Sequence, residues 1–338
     1  MPGFGSAYGL FLADFVTVMV VLGGMALLLL GLARHGGGRG EGLEVKHLNR
    51  GFEEDADVVR RAVHGPNRFK KLLKARTKER KKEEKKDRKN EQRGKDEGAR
   101  GRIFVLDFKG DLRATATASL RREVTAVLGV AAEGDRVLVR LENAGGTVHE
   151  HGLAASQLLR IKHRRIPLIV AVDKVAASGG YLMATVADRI LAAPFAIIGS
   201  IGVLAQLPNF HRLLERSGID YEQITAGRFK RTLTLFGENT DEDREKLRAE
   251  LGEVHALFKR QIAEHRTQVD VDAVATGEHW YGSKALELKL VDELATSDDF
   301  LLEAAKDCDL YLVAYKRRRR WQERLFGSAE SLLSRRAL

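Results

Sequence analysis

Ser178, in the run DKVAASGGYLMA (173–184), is the side chain best placed for covalent chemistry. It follows an apolar run that reads as a buried strand and opens a small-residue stretch that reads as a helix. Backbone N–H groups at such a junction point toward the place where an oxyanion would form. Gly179 and Gly180 behind it let the chain approach a substrate carbonyl without a side chain in the way. A second glycine pair, Gly145 and Gly146 in LENAGGTV, closes the preceding predicted strand. Parallel strands deliver their carboxyl ends to one edge of a sheet, so the two glycine turns face one crevice and offer two donors. The competing reading of Ser178 is an ordinary helix cap.

A serine nucleophile needs a base, and Lys174 and Lys230 are the lysine candidates. A lysine takes a proton only when neutral, a state that burial beside Phe229 or repulsion from Arg228 or Arg231 would favour at Lys230. The histidines offer less. His149 and His151 form an H-x-H with no third ligand nearby and read as surface residues, and His211 falls in a predicted helix. His255, His265 and His279 have no local partner. No metal site and no cofactor is expected.

The elements that must position these groups begin near residue 101. IFVLDF (103–108), RVLVRLEN (136–143), PLIVAVD (167–173) and RILAAP (189–194) read as strands, with helical patterns between them at 117–131, 150–164 and 178–187. Strands separated by crossover helices imply parallel β-α-β units with right-handed connections, so the body is α/β. A long helix at 241–266 is introduced by Thr240 as cap, with acidic residues in its first turn. The uncharged stretch 190–210 is broken by Pro194, Gly199, Gly202 and Pro208 and reads as buried core rather than a membrane span. Trp280 and Tyr281 read as core.

The chain has 338 residues, 44% hydrophobic and 31% charged, which excludes a wholly disordered protein. Its net charge of +10 is not spread evenly. Residues 70–100 hold 15 basic and 7 acidic side chains and residues 310–338 hold 8 and 2, while the body between them is slightly acidic. The basic flanks suit anionic lipid headgroups; nucleic acid is not expected as a partner, because no aromatic residues are interleaved from Lys70 to Arg100. Cys308 is the sole cysteine, which excludes an intrachain disulfide framework. Phe15 to Ala33 is nineteen residues without a charge, long enough as a helix for the roughly 30 Å hydrocarbon layer. Arg34, Arg39, Lys46 and Arg50 follow it and no basic residue precedes it, which by itself places the body on the cytoplasmic side. The expected order is therefore an anchor at 1–34, a charged linker at 35–100 that is partly helical or disordered, a folded domain at 101–309 and a basic tail at 310–338.

These residues also carry a family resemblance. VDKVAASGGYLMA, the turn at 145–146, GSIGV at 199–203 and TAGRFKRTLTLFGENTDEDREK at 225–246 resemble the signal peptide peptidase A family of serine peptidases, closest to its SohB-type inner-membrane members, which also start with YGLFLA. The resemblance implies a ClpP/crotonase-like spiral, homo-oligomers, and a Ser/Lys dyad that neighbouring subunits can share. Matched residue by residue, Ser178 is the nucleophile and Lys230 the general base, and Gly145, Gly146 and Gly179 form the oxyanion loops. One departure is Asn143-Ala144, where the family usually has Ser-Pro. The function implied is membrane-bound cleavage of signal-peptide remnants or other membrane-associated polypeptides. A role on the outer face is often pictured for the family, against the cytoplasmic side favoured by the flanking charges. From the residues alone two alternatives stand: a crotonase-type acyl-CoA enzyme, since the same N–H pair would serve an enolate, and a non-catalytic membrane-bound scaffold.

Overall fold

The computed structural model describes residues 41–91 and 100–317, together with short helical pieces at 16–17, 19–21 and 23–24. The chain divides into two compact units, residues 1–42 with 316–338, and residues 43–315; Ser178, Lys230 and both glycine turns belong to the second. The expected span at 15–33 and the basic cluster after Arg317 lie for the most part outside the described residues. Among the described residues no helix is long and apolar enough to cross a membrane.

The strands are β1 (Gly42–His47), β2 (Gly101–Lys109), β3 (Arg136–Glu142), β4 (Leu168–Val172), β5 (Val175–Ala177), β6 (Arg189–Ala192), β7 (Ile197–Gly199), β8 (His279–Tyr281), β9 (Glu293–Leu294) and β10 (Cys308–Lys316). The helices are α1 (Leu48–Glu91), α2 (Thr117–Leu128), α3 (Val148–His163), α4 (Gly179–Ala184), α5 (His211–Arg216), α6 (Asp241–His265), α7 (Val271–Val274), α8 (Gly282–Glu287) and α9 (Ser297–Ala304). One sheet runs β1-β10-β2-β3-β4-β6-β9, parallel throughout from β10 to β9. A second, three-stranded sheet runs β5-β7-β8, with β7 and β8 antiparallel.

The α/β reading holds because the parallel strands are apolar on both faces. Phe104, Leu106 and Phe108 of β2, with Val137 and Val139 of β3, join the larger core with Leu120 and Val124 of α2 and Leu158 and Ile161 of α3. Ile103 and Val105, with Leu138 and Ile169, meet Leu301 of α9 and Leu48 and Phe52 of α1 on the other face. Covering both faces turns the usual in–out alternation into near-continuous apolar runs, which is how these strands read in sequence. Helix α6 starts as expected: Thr240 and Asp243 form a reciprocal capping box, with Asp241 and Glu242 beside it.

Three expectations are corrected. The sheet begins before residue 101, since β1 lies at its edge and Asn49 ties α1 to the body. The Asn49 amide donates to Ala305 O (3.2 Å) and Cys308 O (2.9 Å), and its Oδ1 accepts the Leu310 N–H at 2.8 Å. Charge density hid this, because the few apolar anchors, Leu48 and Phe52, precede the lysine-rich run. The stretch 190–210 is core only as far as Ile201, with Phe195 already at the surface, and Leu204, Leu207 and Phe210 are exposed. Tyr281 is exposed too and meets Phe195 edge-on, whereas Trp280 is half-buried against Gly199.

Candidate active site

Ser178 lies between β5 and α4, held from both sides by backbone. Its N–H donates to Gly199 O at the end of β7 (2.7 Å), and the preceding Ala177 N–H donates to Asn143 O (3.0 Å). Asn143 in turn donates its N–H to Val175 O at 2.9 Å, so the end of β3 is clasped to β5. Ser178 adopts φ 51°, ψ −120°, a conformation L-residues rarely occupy, and its hydroxyl makes no capping bond to α4. An ordinary cap would have neither property. Strain of this kind costs roughly 1–3 kcal/mol and is retained where surrounding bonds over-determine it, as the two flanking strands do here.

The second glycine pair reaches this turn. Gly145 has φ +92°, and a methyl group on it would fall 2.8 Å from Ala177 O and from Ser178 Cβ. Only glycine fits there. The Gly145 N–H is already given to Asn143 Oδ1 at 2.9 Å, whereas among the described residues the N–H groups of Gly146 and Gly179 meet no protein acceptor. Gly145 is thus brought against Ser178, next to Gly179, and Gly146 follows it in the same turn, with the three amides in different states.

Behind both turns sits His151, fully buried in the first turn of α3. The surface reading of the H-x-H is wrong for this residue and right for His149, whose side chain is 82% exposed. Helical geometry separates the two: residues two apart on a helix point about 200° apart, so one faces solvent when the other faces the core. The buried polar side chains Asn143 and His151 are the groups the sequence reading missed. The available signal was the glycine pattern: methyls on Gly179 and Gly180 would lie 2.5 Å from His151 Cγ and 2.0 Å from Asn143 O.

The floor of the site is rigid. Tyr181 of α4 is fully buried and donates its O–H to Leu290 O at 2.9 Å; burial pushes its hydroxyl well above the usual phenol range. Arg266, 2% exposed, forks onto both oxygens of Asp292 at 2.8 Å, and Asp292 also accepts the Ile190 N–H at 2.7 Å.

The lysines part company. Lys174 pairs with Glu142 at 3.2 Å and lines a cavity of about 350 Å³ with Asp107, Arg140, Asp173 and Ser297. That cavity is lined by none of the Ser178 or glycine-turn residues, and its charges are largely paired with one another, Arg140 with Asp107 among them. Lys230 is exposed in the single chain, so the burial expected beside Phe229 is absent. The Phe229 ring instead carries Arg228 and Lys246, at 5.1 and 5.4 Å. Arg228 also pairs with Glu242. Arg228, one of the two arginines expected to act on Lys230, is thus engaged by other partners.

The sequence matches the peptidase family S49 N-terminal region over residues 4–158 and peptidase family S49 over residues 160–311. "Probable protease SohB" of Haemophilus influenzae is 46% identical over 313 residues, covering 92% of this chain and 89% of that protein. The protein of the same description from Buchnera aphidicola subsp. Acyrthosiphon pisum is 52% identical over 233 residues, 69% of each chain. Among solved structures, a mutant of the 1510-N membrane-bound stomatin-specific protease in complex with a substrate peptide is 14% identical at a TM-score of 0.43, over 68% of this chain and 98% of that one. That likeness is loose, and no residue correspondence rests on it. The sequence relationship decides between the peptidase and the acyl-CoA and scaffold alternatives: the chain belongs to peptidase family S49, as a serine peptidase of the SohB type.

Proposed function

We propose that the protein is a membrane-anchored endopeptidase in which Ser178 is the nucleophile and Lys230 the general base. Lys230 Nζ accepts the Ser178 hydroxyl proton as Oγ attacks the scissile carbonyl carbon. The Gly146 and Gly179 N–H groups donate to the resulting oxyanion, and Gly145 supplies the turn that sets Gly146 against the nucleophile. Collapse breaks the C–N bond, the amine leaves with the proton from Lys230, and water then hydrolyses the acyl-enzyme. The observation that carries this reading is a serine held at φ 51° with an uncapped hydroxyl, between two turns that each present a free N–H.

An exposed lysine is a poor base until water is excluded from it. Apolar residues of the segment that carries Lys230, among them Leu204, Ile224 and Phe236, are exposed in the single chain and suit burial against a second copy, which would cover the segment. This is the basis for reading the enzyme as a homo-oligomer. Substrates are signal-peptide remnants or other membrane-associated polypeptides, cut beside the bilayer in which residues 15–33 anchor the chain. The bilayer is a bacterial inner membrane. Lys74, Lys78, Lys81 and Lys85, recurring along α1, suit contact with anionic headgroups. Protease accessibility of the body in intact cells and inverted vesicles reads its sidedness; the flanking charges predict protection in intact cells.

Ser178→Ala tests the reading. By analogy with loss of a triad serine, kcat for a hydrophobic peptide should fall by up to about 10⁶-fold with the fold intact. Undiminished cleavage would contradict it.

A further inference from the structure

We propose that Asn143 and His151 are positioning residues: a buried bracket that fixes the Gly145–Gly146 turn against Ser178 and leaves the Gly146 N–H, rather than that of Gly145, free to donate. The inference rests on Ser178 being the nucleophile. Asn143 is 1% exposed and His151 0%. Asn143 Oδ1 accepts the Gly145 N–H at 2.9 Å and lies 3.2 Å from His151 Nε2. His151 Nδ1 lies 2.9 Å from the Thr147 carbonyl oxygen. The amide orientation is forced, because turning it over would set its NH₂ against the Gly145 N–H. Its Nδ2 then faces Met183 Sδ at 3.3 Å. In the Nε2–H tautomer of His151 that one oxygen accepts from both the turn amide and the imidazole, and Nδ1 then makes no donation to Thr147 O.

The imidazole also touches both glycine turns directly. A methyl on Gly146 would fall 2.8 Å from His151 Cε1, and one on Gly179 2.5 Å from its Cγ. His151 is therefore the wall shared by the two loops whose free N–H groups flank Ser178. Gly110 completes the enclosure, since a methyl there would meet the Asn143 amide at 2.4 Å. A buried polar pair this tightly enclosed has discrete arrangements rather than a continuum, so it sets the spacing between the two donors. The bracket touches no reacting atom and acts through the glycine amides.

The test uses the full-length protein and two substitutions that keep volume and remove hydrogen bonding, His151→Phe and Asn143→Leu, singly and together. Displacement of a donor by an ångström costs up to about 10²-fold, so each single variant should lose roughly 10- to 100-fold in kcat with KM within about threefold. The rate of Ser178 labelling by a fluorophosphonate should fall in parallel. Because the pair acts as a unit, the double variant should be no slower than either single one. Unchanged kcat, or losses that multiply in the double variant, would overturn the bracket. A second measurement needs no variant: in the unmodified enzyme the Gly145 amide should exchange with deuterium far more slowly than those of Gly146 and Gly179, which become protected when Ser178 is phosphonylated. A Gly145 amide that exchanges as fast as Gly146 overturns the proposal even if both variants fail to fold. If the unmodified enzyme is not labelled at Ser178, the nucleophile reading falls and the bracket with it; normal labelling of His151→Phe sinks the bracket alone.

Discussion

From Val137 to Ile201 the chain buries Val139, Leu158, Val170, Met183 and Ile198 in one core, and the Ala177–Ser178 turn hangs from two neighbouring backbone segments, at Asn143 and Gly199. From Leu204 to Phe236 the same chain leaves Leu204 75% and Ile224 95% exposed, and Lys230 is held by a single turn bond from its N–H to Gly227 O. The two members of the proposed dyad therefore differ in how far one chain prepares them. Ser178 is oriented by strand pairing that also builds the core, so its geometry comes with folding. The proposed base sits on a surface segment whose apolar side chains, Leu204 and Ile224 among them, are exposed in the single chain, so folding alone does not bury it.

The largest effect expected on this comparison is at Lys230. Replacing it by Ala should lower kcat about 10²- to 10⁴-fold, the usual worth of a general base, and abolish the rise of activity with pH. Unfolding temperature should not change, because an exposed side chain contributes little to the fold. A retained pH–activity curve in Lys230→Ala would move the base to another group and break the contrast. Gly145→Ala attacks the other half. Its methyl would meet Ala177 O and Ser178 Cβ at 2.8 Å in a backbone conformation that disfavours side chains, so kcat should fall about 10²-fold through displacement of the nucleophile. Full activity would show that the two turns are not in register as described.

The floor under α4 sharpens the same contrast in stability. Arg266→Ala removes a buried guanidinium and both of its bonds to the partly exposed Asp292, and should cost roughly 2–3 kcal/mol, measured by denaturant unfolding. A charge-removing change in the exposed segment, such as Arg216→Ala, should cost less than about 0.5 kcal/mol. The smallest effect is a pH dependence of the core. Glu123 on α2 accepts the Tyr315 N–H at 2.7 Å, and burial raises its carboxyl to about 7. Between the ordinary carboxylate range and pH 7 the folded chain keeps a proton that the unfolded chain has released, so stability falls as pH rises through that window. Glu123→Gln removes this slope and should be the more stable protein at pH 8, by at most about 3 kcal/mol, with the two equal near pH 4. Parallel stability–pH curves would contradict the assignment.

The fold was legible where physics is local. Two-faced burial made β2, β3, β4 and β6 apolar runs, and the Thr240–Asp243 box marked the start of α6 within a residue. The position of Ser178 was legible as a serine with two following glycines at a strand end. What escaped were properties set by distant segments. His151 looks like a surface histidine until α3 turns it under Gly146 and Gly179. Asn143 looks like a strand end until its amide closes the turn after it. Lys230 was expected to be buried because Phe229 is adjacent in sequence, yet that ring faces Arg228 and Lys246. The sheet's first strand was hidden because six residues before a lysine-rich helix carry no strong apolar signal.

Mapping the site of covalent attachment tests the central claim most directly. The full-length protein is treated with a fluorophosphonate, digested, and the adduct located by mass spectrometry, with Ser178→Ala treated alongside. A single adduct on Ser178 is expected, lost together with peptide cleavage in the variant. An adduct on another residue, or cleavage that persists in Ser178→Ala, would contradict it.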